Sequence, residues 1–241
     1  MNLRYKIELN ISNQYISKMP IPVIFIEGGI GCGKSTLVKH MQGYCEEHKY
    51  RFLTIQEPVD LWTQIKNDEG KNIIEAFYEN QDKYAFHFQM MAYISRLHRL
   101  QEACENVDNK YDLIICERSL QTDKNVFCKM LYVEGKIDTF GYQIYNMWFD
   151  HFQKFIQTSM FVYLKTDHKI CAERVMKRQR EGETSISLDY LKHNNAYHDE
   201  WLLQKNENVL ILDGNQDCTQ SPALLDTFCK QIIDYIHSKK V

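Results

Sequence analysis

Short apolar segments of strand length recur along the chain, and longer segments with helical spacing separate them. Each is a nearly continuous run of Val, Ile, Leu and Phe, and the five occupy residues 23–27, 52–57, 113–117, 160–165 and 209–213. A continuous apolar run is typical of a strand that is covered on both faces, as in a parallel sheet. The pattern therefore predicts five buried strands.

Helical periodicity is clearest in two of the intervening segments. Apolar residues recur on one helical face at Phe86, Met90, Tyr93 and Leu97, and again near the end of the chain at Ile232, Ile233, Tyr235 and Ile236. Strands that alternate with helices predict a three-layer α/β fold with right-handed crossovers. Since no linker, repeat or low-complexity stretch is visible, we expect one domain over residues 1–241, with residues 1–20 as a short N-terminal extension.

Two of the intervals between strands are longer than the fold requires. They are residues 58–112 and 118–159, whereas about a dozen residues can join two parallel strands. Extra helices are expected there, where they would build a substrate site or a subunit contact.

Charge and composition exclude several classes of partner. The net charge is −3 and the pI is about 6.3, which argues against duplex nucleic acid or an anionic membrane as the main partner. No apolar run approaches the roughly 20 residues of a membrane span. The eight cysteines form no C-x-x-C pair and no secretory signal is visible, so we expect reduced thiols in the cytoplasm. Import into an organelle stays open.

A phosphate-binding loop follows the first predicted strand. The pattern G-x-x-x-x-G-K-[ST] is matched by Gly28, Gly29, Ile30, Gly31, Cys32, Gly33, Lys34 and Ser35. The glycines let backbone N–H groups converge on phosphate oxygens, Lys34 reaches the β and γ phosphates, and the Ser35 hydroxyl can bind Mg²⁺. A chance match is the alternative, but the strand before the loop and the helix after it argue against chance. We include Thr36 in the predicted phosphate site.

Two carboxylates end neighbouring predicted strands. Ligands of open α/β sheets bind beyond the carboxyl ends of the strands, which is where Glu57 and Glu117 lie. Phosphoryl transfer to an alcohol needs a base for the hydroxyl proton, and Glu57 is the candidate, with Arg118 stabilising charge beside it. Glu117 is the candidate for assisting Mg²⁺. Alternatively, each carboxylate merely caps a buried strand.

A basic segment follows the fourth predicted strand. Arg174 and Arg178 lie four residues apart on one helical face, Arg180 follows, and Gly182 offers a flexible exit. Beside a phosphate loop these arginines suggest a movable lid over the transferring phosphate, and Lys34 would share that charge. The alternative is a solvated helix end whose cations complement the helix dipole.

Six segments that follow one another along the chain carry a resemblance to a known family. They are IEGGIGCGKSTL, EPVDLW, FHFQMMAYISRLHRL, ERSLQTDKNVF, RVMKRQREGE and SLDYLKHNNAYHDEWL. Together they resemble the deoxynucleoside kinases, the group that contains deoxycytidine and deoxyguanosine kinases. The resemblance implies a P-loop kinase fold with a five-stranded parallel sheet flanked by helices. It also implies a homodimer formed through helices of the long intervals. The donor would be ATP or another triphosphate with Mg²⁺, and the acceptor a deoxynucleoside.

The resemblance also implies roles for single residues. Glu57 would be the general base supported by Arg118, while Ser35 and Glu117 would hold Mg²⁺. The remaining predicted acceptor residues are Tyr78 and Glu183 for the sugar 3′-hydroxyl, Gln89 for the base edge, and Trp62, Phe88 and Phe127 around the base. Without the resemblance, these aromatic residues would be read as ordinary core and Gln89 as a buried amide.

The resemblance also bears on base preference. Kinases of this family that favour thymidine tend to have small or apolar residues where this chain has Arg96 and Asp123. Such a pair offers donors and acceptors to an exocyclic amine and would crowd the thymine methyl group. We therefore expect deoxycytidine, deoxyadenosine or deoxyguanosine to be preferred to thymidine. Gly31, Cys32 and Cys218 depart from the residues common in the family, which leaves the choice of triphosphate open.

Two rival functions stay open at this point. A nucleoside monophosphate kinase shares the phosphate loop and the lid arginines, but it needs a further cationic site for the acceptor phosphate. A catalytically silent structural subunit of the same fold should have lost catalytic residues. Lys34, Glu57, Glu117 and Arg118 are all present, which argues against the silent subunit.

Overall fold

The computed structural model describes residues 21–105, 110–153, 159–180, 182–183, 185–204, 208–218 and 221–239. Its five strands form one parallel sheet in the order β2-β3-β1-β4-β5. The strands are β1 Val23–Glu27, β2 Phe52–Ile55, β3 Leu113–Glu117, β4 Ser159–Lys165 and β5 Val209–Asp213. The predicted α/β fold with a five-stranded parallel sheet is confirmed.

Helices cover both faces of the sheet. They are α1 Lys34–Glu47, α2 Val59–Trp62, α3 Ile73–Glu79, α4 Gln81–Glu105, α5 Leu120–Thr122, α6 Lys129–Val133, α7 Thr139–Phe152, α8 His168–Arg178, α9 Leu188–Gln204 and α10 Pro222–Ser238. The long intervals hold α2 to α4 and α5 to α7, as expected. No helix within the described ranges is long and apolar enough to cross a membrane.

Alternate residues of the strands point to two separate cores, which gives the three layers. Val23 and Phe25 of β1 pack with residues of α4, α7 and α9. Ile24 and Ile26 pack on the opposite face with residues of α1, α8 and α10. Because both faces are covered, every residue of β1 and β3 is buried, which explains why both strands are apolar up to the glutamate that ends them.

The end of β2 differs from the prediction. The strand ends at Ile55, so Glu57 lies two residues beyond the hydrogen-bonded ladder. Pro58 has no N–H to donate and begins the turn into α2, where Val59 N donates to Glu57 O at 2.9 Å. Glu57 is therefore held in a turn above the sheet.

A π-helical segment, Asp123–Cys128, lies between α5 and α6 in one continuous helical stretch. A π turn is wider than an α turn and is frequently found at functional sites. Asp123 and Phe127 both come from this segment and both line the main cleft. The predicted single domain stays a prediction, and its N-terminal extension, residues 1–20, lies outside the described residues.

Candidate active site

A cleft of about 650 Å³ opens at the carboxyl ends of β1, β2 and β3. The predicted site residues line this one cavity, except for Gly28 and Gly29, which lie at the start of the phosphate loop. The phosphate loop, the basic segment and the predicted acceptor residues all contribute to its lining. Donor and acceptor could therefore meet in one continuous space.

The phosphate loop depends on glycine for its shape. Gly28, Gly31 and Gly33 have φ angles of 144°, 81° and 105°, which residues with a Cβ atom rarely adopt. At Gly31 an added Cβ would lie 2.5 Å from the Cys171 carbonyl oxygen of α8, so that position is closed on steric grounds as well. The Lys34 ammonium donates to Gly29 O at 2.8 Å and is thereby kept within the loop.

Two oxygen ligands meet where α1 begins and β3 ends. Ser35 Oγ donates to Glu117 Oε1 at 2.7 Å, and the other carboxylate oxygen accepts from Glu57 N at 3.4 Å. A hydroxyl and a carboxylate are the hard oxygen donors that Mg²⁺ prefers, usually with substrate phosphates completing the coordination. The residues present therefore fit the predicted ion.

The Glu57 carboxylate lies between two guanidinium groups. Oε1 is 3.2 Å from Arg118 Nε and 3.0 Å from Arg96 Nη2. Burial alone would raise the pKa of Glu57, but the charges of Arg118, Arg96 and Lys34 outweigh it and lower the pKa to about 2. Glu57 is therefore ionised and held in a fixed orientation.

Arg96 joins this carboxylate to a second, deeper one. Its Nε and Nη2 donate to the two Asp123 oxygens at 2.9 and 3.3 Å, and both side chains are almost fully buried. Burial raises the pKa of Asp123, and the Arg96 charge opposes that shift. Burial would lower the pKa of Arg96, but Asp123 and Glu57 together raise it. The predicted pairing of Arg96 with Asp123 is observed, and the bond to Glu57 is an additional finding.

Aromatic side chains and one amide form a slot beside this network. Trp62 donates to Ser95 Oγ at 2.8 Å and packs edge-on against Phe88, with ring centroids 5.6 Å apart. Phe127 lies under the Arg118 guanidinium at 4.9 Å. Gln89 Oε1 is buried and has no hydrogen-bond partner among the described residues. A buried acceptor without a partner is costly unless a ligand supplies the donor.

Tyr78 and Glu183 also line the cleft, and Tyr78 packs in the same cluster as Trp62 and Phe88. Burial raises the pKa of Tyr78 well above its usual value, and the neighbouring Tyr190 and Glu183 raise it further. The Tyr78 hydroxyl therefore keeps its proton. The Glu183 carboxylate is bound by two arginines of the basic segment, Arg178 through a very short contact and Arg180 at 3.2 Å. The two arginines therefore neutralise the Glu183 carboxylate.

Arg174 is held differently from the other two arginines of the basic segment. Its guanidinium donates to the carbonyl oxygens of Cys32 at 3.1 Å, Gly214 at 2.8 Å and Gln216 at 2.8 Å. The first carbonyl belongs to the phosphate loop, and the other two belong to the turn after β5. Arg174 therefore fastens the phosphate loop to that turn.

Comparison with known proteins agrees with this geometry. Residues 24–237 match the family model described as deoxynucleoside kinase. The chain is 31% identical over 228 residues to deoxycytidine kinase 2 of Gallus gallus, covering 80% of this chain and 82% of that protein. It is 28% identical over 226 residues to deoxycytidine kinase of Homo sapiens, covering 82% and 85%. Mitochondrial thymidine kinase 2 of Macaca fascicularis is 28% identical over 184 residues, covering 76% and 64%.

The chain belongs to the deoxynucleoside kinase family. It is therefore a kinase, and the predicted family is confirmed. The chain is similar both to deoxycytidine kinases and to a thymidine kinase. The comparisons therefore do not identify its acceptor nucleoside.

Among the buried polar residues of this kinase that have no role predicted from the sequence, Glu27 and His198 contact residues next to the site. Glu27, at the end of β1, accepts from Ser119 N at 3.0 Å and from the Thr122 hydroxyl through a very short bond. Burial raises the pKa of Glu27. His198 of α9 lies 3.5 Å from Arg118 Nη1. An acidic residue closing an apolar strand was the available signal for Glu27, since Glu117 closes β3 in the same way.

Proposed function

We propose that this kinase transfers the γ-phosphoryl group of ATP, or of another nucleoside triphosphate, to the 5′-hydroxyl of a deoxynucleoside. The observation that carries the proposal is Glu57, which lies between Arg96 and Arg118 where the phosphate loop meets the aromatic slot. A carboxylate fixed at that point can accept a hydrogen bond from a hydroxyl that faces the triphosphate. Arg178 and Arg180 then stand ready to neutralise the transferring phosphate.

With a pKa of about 2, Glu57 is a weak base. Phosphoryl transfer passes through a loose transition state in most analyses, so the nucleophile needs orientation more than early deprotonation. We propose that Glu57 orients the 5′-hydroxyl and accepts its proton as the new P–O bond forms. Arg118 keeps the carboxylate ionised and pointed at the acceptor.

We further propose that Mg²⁺ is held by Ser35 and Glu117, whose oxygens are 2.7 Å apart. When bound, the ion would neutralise phosphate charge at the donor end. Glu117 also accepts a bond from the backbone N–H of Glu57, so the same carboxylate ties the donor end to the acceptor turn.

The proposed acceptor is a deoxynucleoside with an exocyclic amine, namely deoxycytidine, deoxyadenosine or deoxyguanosine ahead of thymidine. Gln89 has a buried oxygen without a partner, and the Asp123 carboxylate at the bottom of the cleft accepts hydrogen bonds. An exocyclic amine can donate to either acceptor, whereas the one donor on the thymine ring, N3–H, can serve Gln89 but leaves only a carbonyl and a methyl group for the Asp123 carboxylate. Trp62 and Phe127 would pack on the base, and Tyr78 with Glu183 would bind the 3′-hydroxyl.

Steady-state phosphorylation of the four natural deoxynucleosides, and of dCMP and dTMP, tests this proposal. We expect the highest kcat/KM with an amine-bearing deoxynucleoside. Glu57→Gln should lower kcat by about 10² to 10⁴, the usual contribution of a positioned base. Glu79→Gln removes an exposed carboxylate that pairs with Lys71 and should leave kcat unchanged. Near-normal kcat in Glu57→Gln, a clear thymidine preference, or faster turnover of a monophosphate would each contradict a stated part of the proposal.

We also propose a homodimer. Helix α7 exposes Phe140, Ile144, Met147 and Trp148 along one side, and Phe140 is 77% exposed. Ile94, on the neighbouring α4, is 52% exposed. An apolar stripe of this size on a long helix suits an interface between two copies. Met147→Lys should yield monomers by light scattering, whereas Ile211→Lys, at an exposed apolar site on β5, should not. A wild-type monomer would contradict the dimer.

All eight cysteines are free thiols, which supports a reducing compartment such as the cytoplasm. We propose a cytoplasmic enzyme, and cell fractionation with compartment markers tests this. Recovery in a mitochondrial fraction would contradict it.

A further inference from the structure

Helix α9 carries a fully buried histidine, His198, that no proposed role has used so far. Its Nδ1 lies 2.8 Å from the carbonyl oxygen of Asn194, one turn earlier in the helix. A carbonyl oxygen only accepts, so Nδ1 must carry the proton. Nε2 is then the ring nitrogen with a free lone pair.

That lone pair faces the Arg118 guanidinium. His198 Nε2 is 3.5 Å from Arg118 Nη1, on the other side of the guanidinium from Glu57. The imidazole stacks on Tyr163 with an interplanar angle of 9° and meets Phe127 edge-on. Packing on both sides therefore fixes the imidazole where it can accept from the arginine.

The backbone of Arg118 is also unusual. Its φ is +64°, in the left-handed region that non-glycine residues seldom occupy and that persists only with support from the surroundings. Arg118 N donates to Ile26 O at 3.0 Å, which fixes the main chain. The long side chain is oriented by Glu57, by the face of Phe127 and by His198.

The same turn of α9 also touches the donor end. An added Cβ at Gly29 would lie 2.4 Å from Asn195 Oδ1 and 3.5 Å from Asn194 Oδ1. Asn195 Nδ2 donates to Thr166 O at 2.6 Å, so this asparagine is anchored to the end of β4. Residues 194–198 therefore bridge the phosphate loop and Arg118.

We propose that His198 is a positioning residue for Arg118, whose guanidinium it orients on Glu57 by accepting a hydrogen bond at Nε2. The proposal rests on the function proposed above. Burial and the charge of Arg118 lower the pKa of His198, which agrees with a neutral ring that accepts rather than a cation that repels. Losing the acceptor should let the guanidinium turn away, so kcat should fall while binding of the deoxynucleoside is largely kept.

Three substitutions separate the hydrogen bond from packing. His198→Phe keeps an aromatic ring but has no acceptor. His198→Asn reaches only the Nδ1 position, so it can keep the bond to Asn194 O but cannot reach Arg118. His198→Gln places an amide oxygen near the Nε2 position and restores the acceptor. His193→Phe, on the same helix with a side chain that is 55% exposed, is the matched control.

We expect His198→Phe and His198→Asn to lower kcat by about tenfold with KM within about twofold, and His198→Gln to stay near wild type. In an Arg118→Lys background, His198→Phe should cause no further loss of kcat, because the effect passes through the arginine.

Wild-type kcat in both the His198→Phe and the His198→Asn variants would overturn the proposal. So would a Gln variant as slow and as thermally unstable as Asn, since that pattern means packing alone. If His198→Phe does not fold, the Gln and Asn pair decides. A wild-type protein that phosphorylates no deoxynucleoside would refute the proposed function itself.

Discussion

Arg96 Nη2 donates to Glu57 Oε1 at 3.0 Å, so one buried arginine serves both the bottom of the cleft and its reacting end. The same guanidinium holds Asp123 through two further bonds. A change at Asp123 can therefore reach the Glu57 carboxylate through one guanidinium. If the proposed roles of these residues hold, base preference and turnover are coupled through this single side chain.

The first prediction concerns this coupling. Arg96→Met leaves the Asp123 carboxylate buried without its partner and should cost about 3–5 kcal/mol of unfolding free energy. The double variant with Asp123→Ala should recover most of that loss and should move the kcat/KM ratio toward thymidine. Urea denaturation and competition between deoxynucleosides measure the two effects. A double variant as unstable as the single one would show that the pair is not the cause.

The second prediction concerns Glu183, which the lid arginines bind in this structure. If a triphosphate draws Arg178 and Arg180 to its phosphates, it would free the Glu183 carboxylate for its proposed contact with the 3′-hydroxyl. A non-hydrolysable ATP analogue should therefore tighten deoxynucleoside binding, by about fivefold or more if the coupling is of ordinary size. Calorimetric titration with and without the analogue measures this. Glu183→Gln should abolish the enhancement, and an equal enhancement in that variant would contradict the exchange of partners.

The third prediction concerns Gly31. Gly31→Ala combines a φ of 81° with a Cβ placed 2.5 Å from Cys171 O, so the loop must shift and the KM for ATP should rise at least tenfold. Gly43 of α1 is the matched control, because an added Cβ there meets nothing within 4 Å. Gly43→Ala should stabilise the helix by about 0.5–1 kcal/mol and leave KM unchanged. An unaltered KM for ATP in Gly31→Ala would contradict the steric argument.

The fourth prediction concerns stability as a function of pH. Burial, then the charge of Arg118 and to a smaller extent that of Lys34, lower the pKa of His198 well below 6.5, while its bond to the Asn194 carbonyl opposes the shift. The unfolded chain therefore takes up a proton more readily as the pH falls below 6.5, and folding loses stability in that range. The slope is at most about 1.4 kcal/mol per pH unit for one proton.

Above pH 6.5 this contribution is constant. His198→Phe should remove it, so the difference in unfolding free energy between wild type and variant should change between pH 5 and pH 6.5. Urea denaturation at several pH values measures that difference. A constant difference across the range would mean that His198 is not the group that titrates.

The fold was largely predictable because burial on both faces leaves a simple signal. The predicted strands at residues 23–27, 113–117 and 209–213 have the same bounds as β1, β3 and β5, since each run ends where the chain leaves the sheet. The end of β2 was placed two residues late because Gln56 and Glu57 continue the chain without pairing. The hydrophobic pattern indicates which residues are buried, but it does not indicate where the hydrogen bonds between two strands end.

The site was predictable in part. The phosphate loop has a local pattern, and the resemblance to the family supplied Arg96 and Asp123, which lie 27 positions apart in the sequence and 2.9 Å apart in the fold. No sequence motif predicts that Arg96 contacts Glu57 or that His198 contacts Arg118. Both contacts depend on how α4 and α9 pack. Gln89 and Arg96 interrupt the apolar face of α4, and a buried polar residue of this kind is the only trace such contacts leave in a sequence.

The bonds of Arg174 have a mechanical consequence for the basic segment. Carbonyl oxygens of the phosphate loop and of the turn after β5 hold its guanidinium, so the first two turns of α8 cannot swing away without breaking them. A movement of Arg178 that keeps these bonds must therefore begin beyond Arg174, in the last turn of α8. Only that one turn, from Val175 to Arg178, is free to rotate as a helix, which limits how far a lid built on Arg178 can travel.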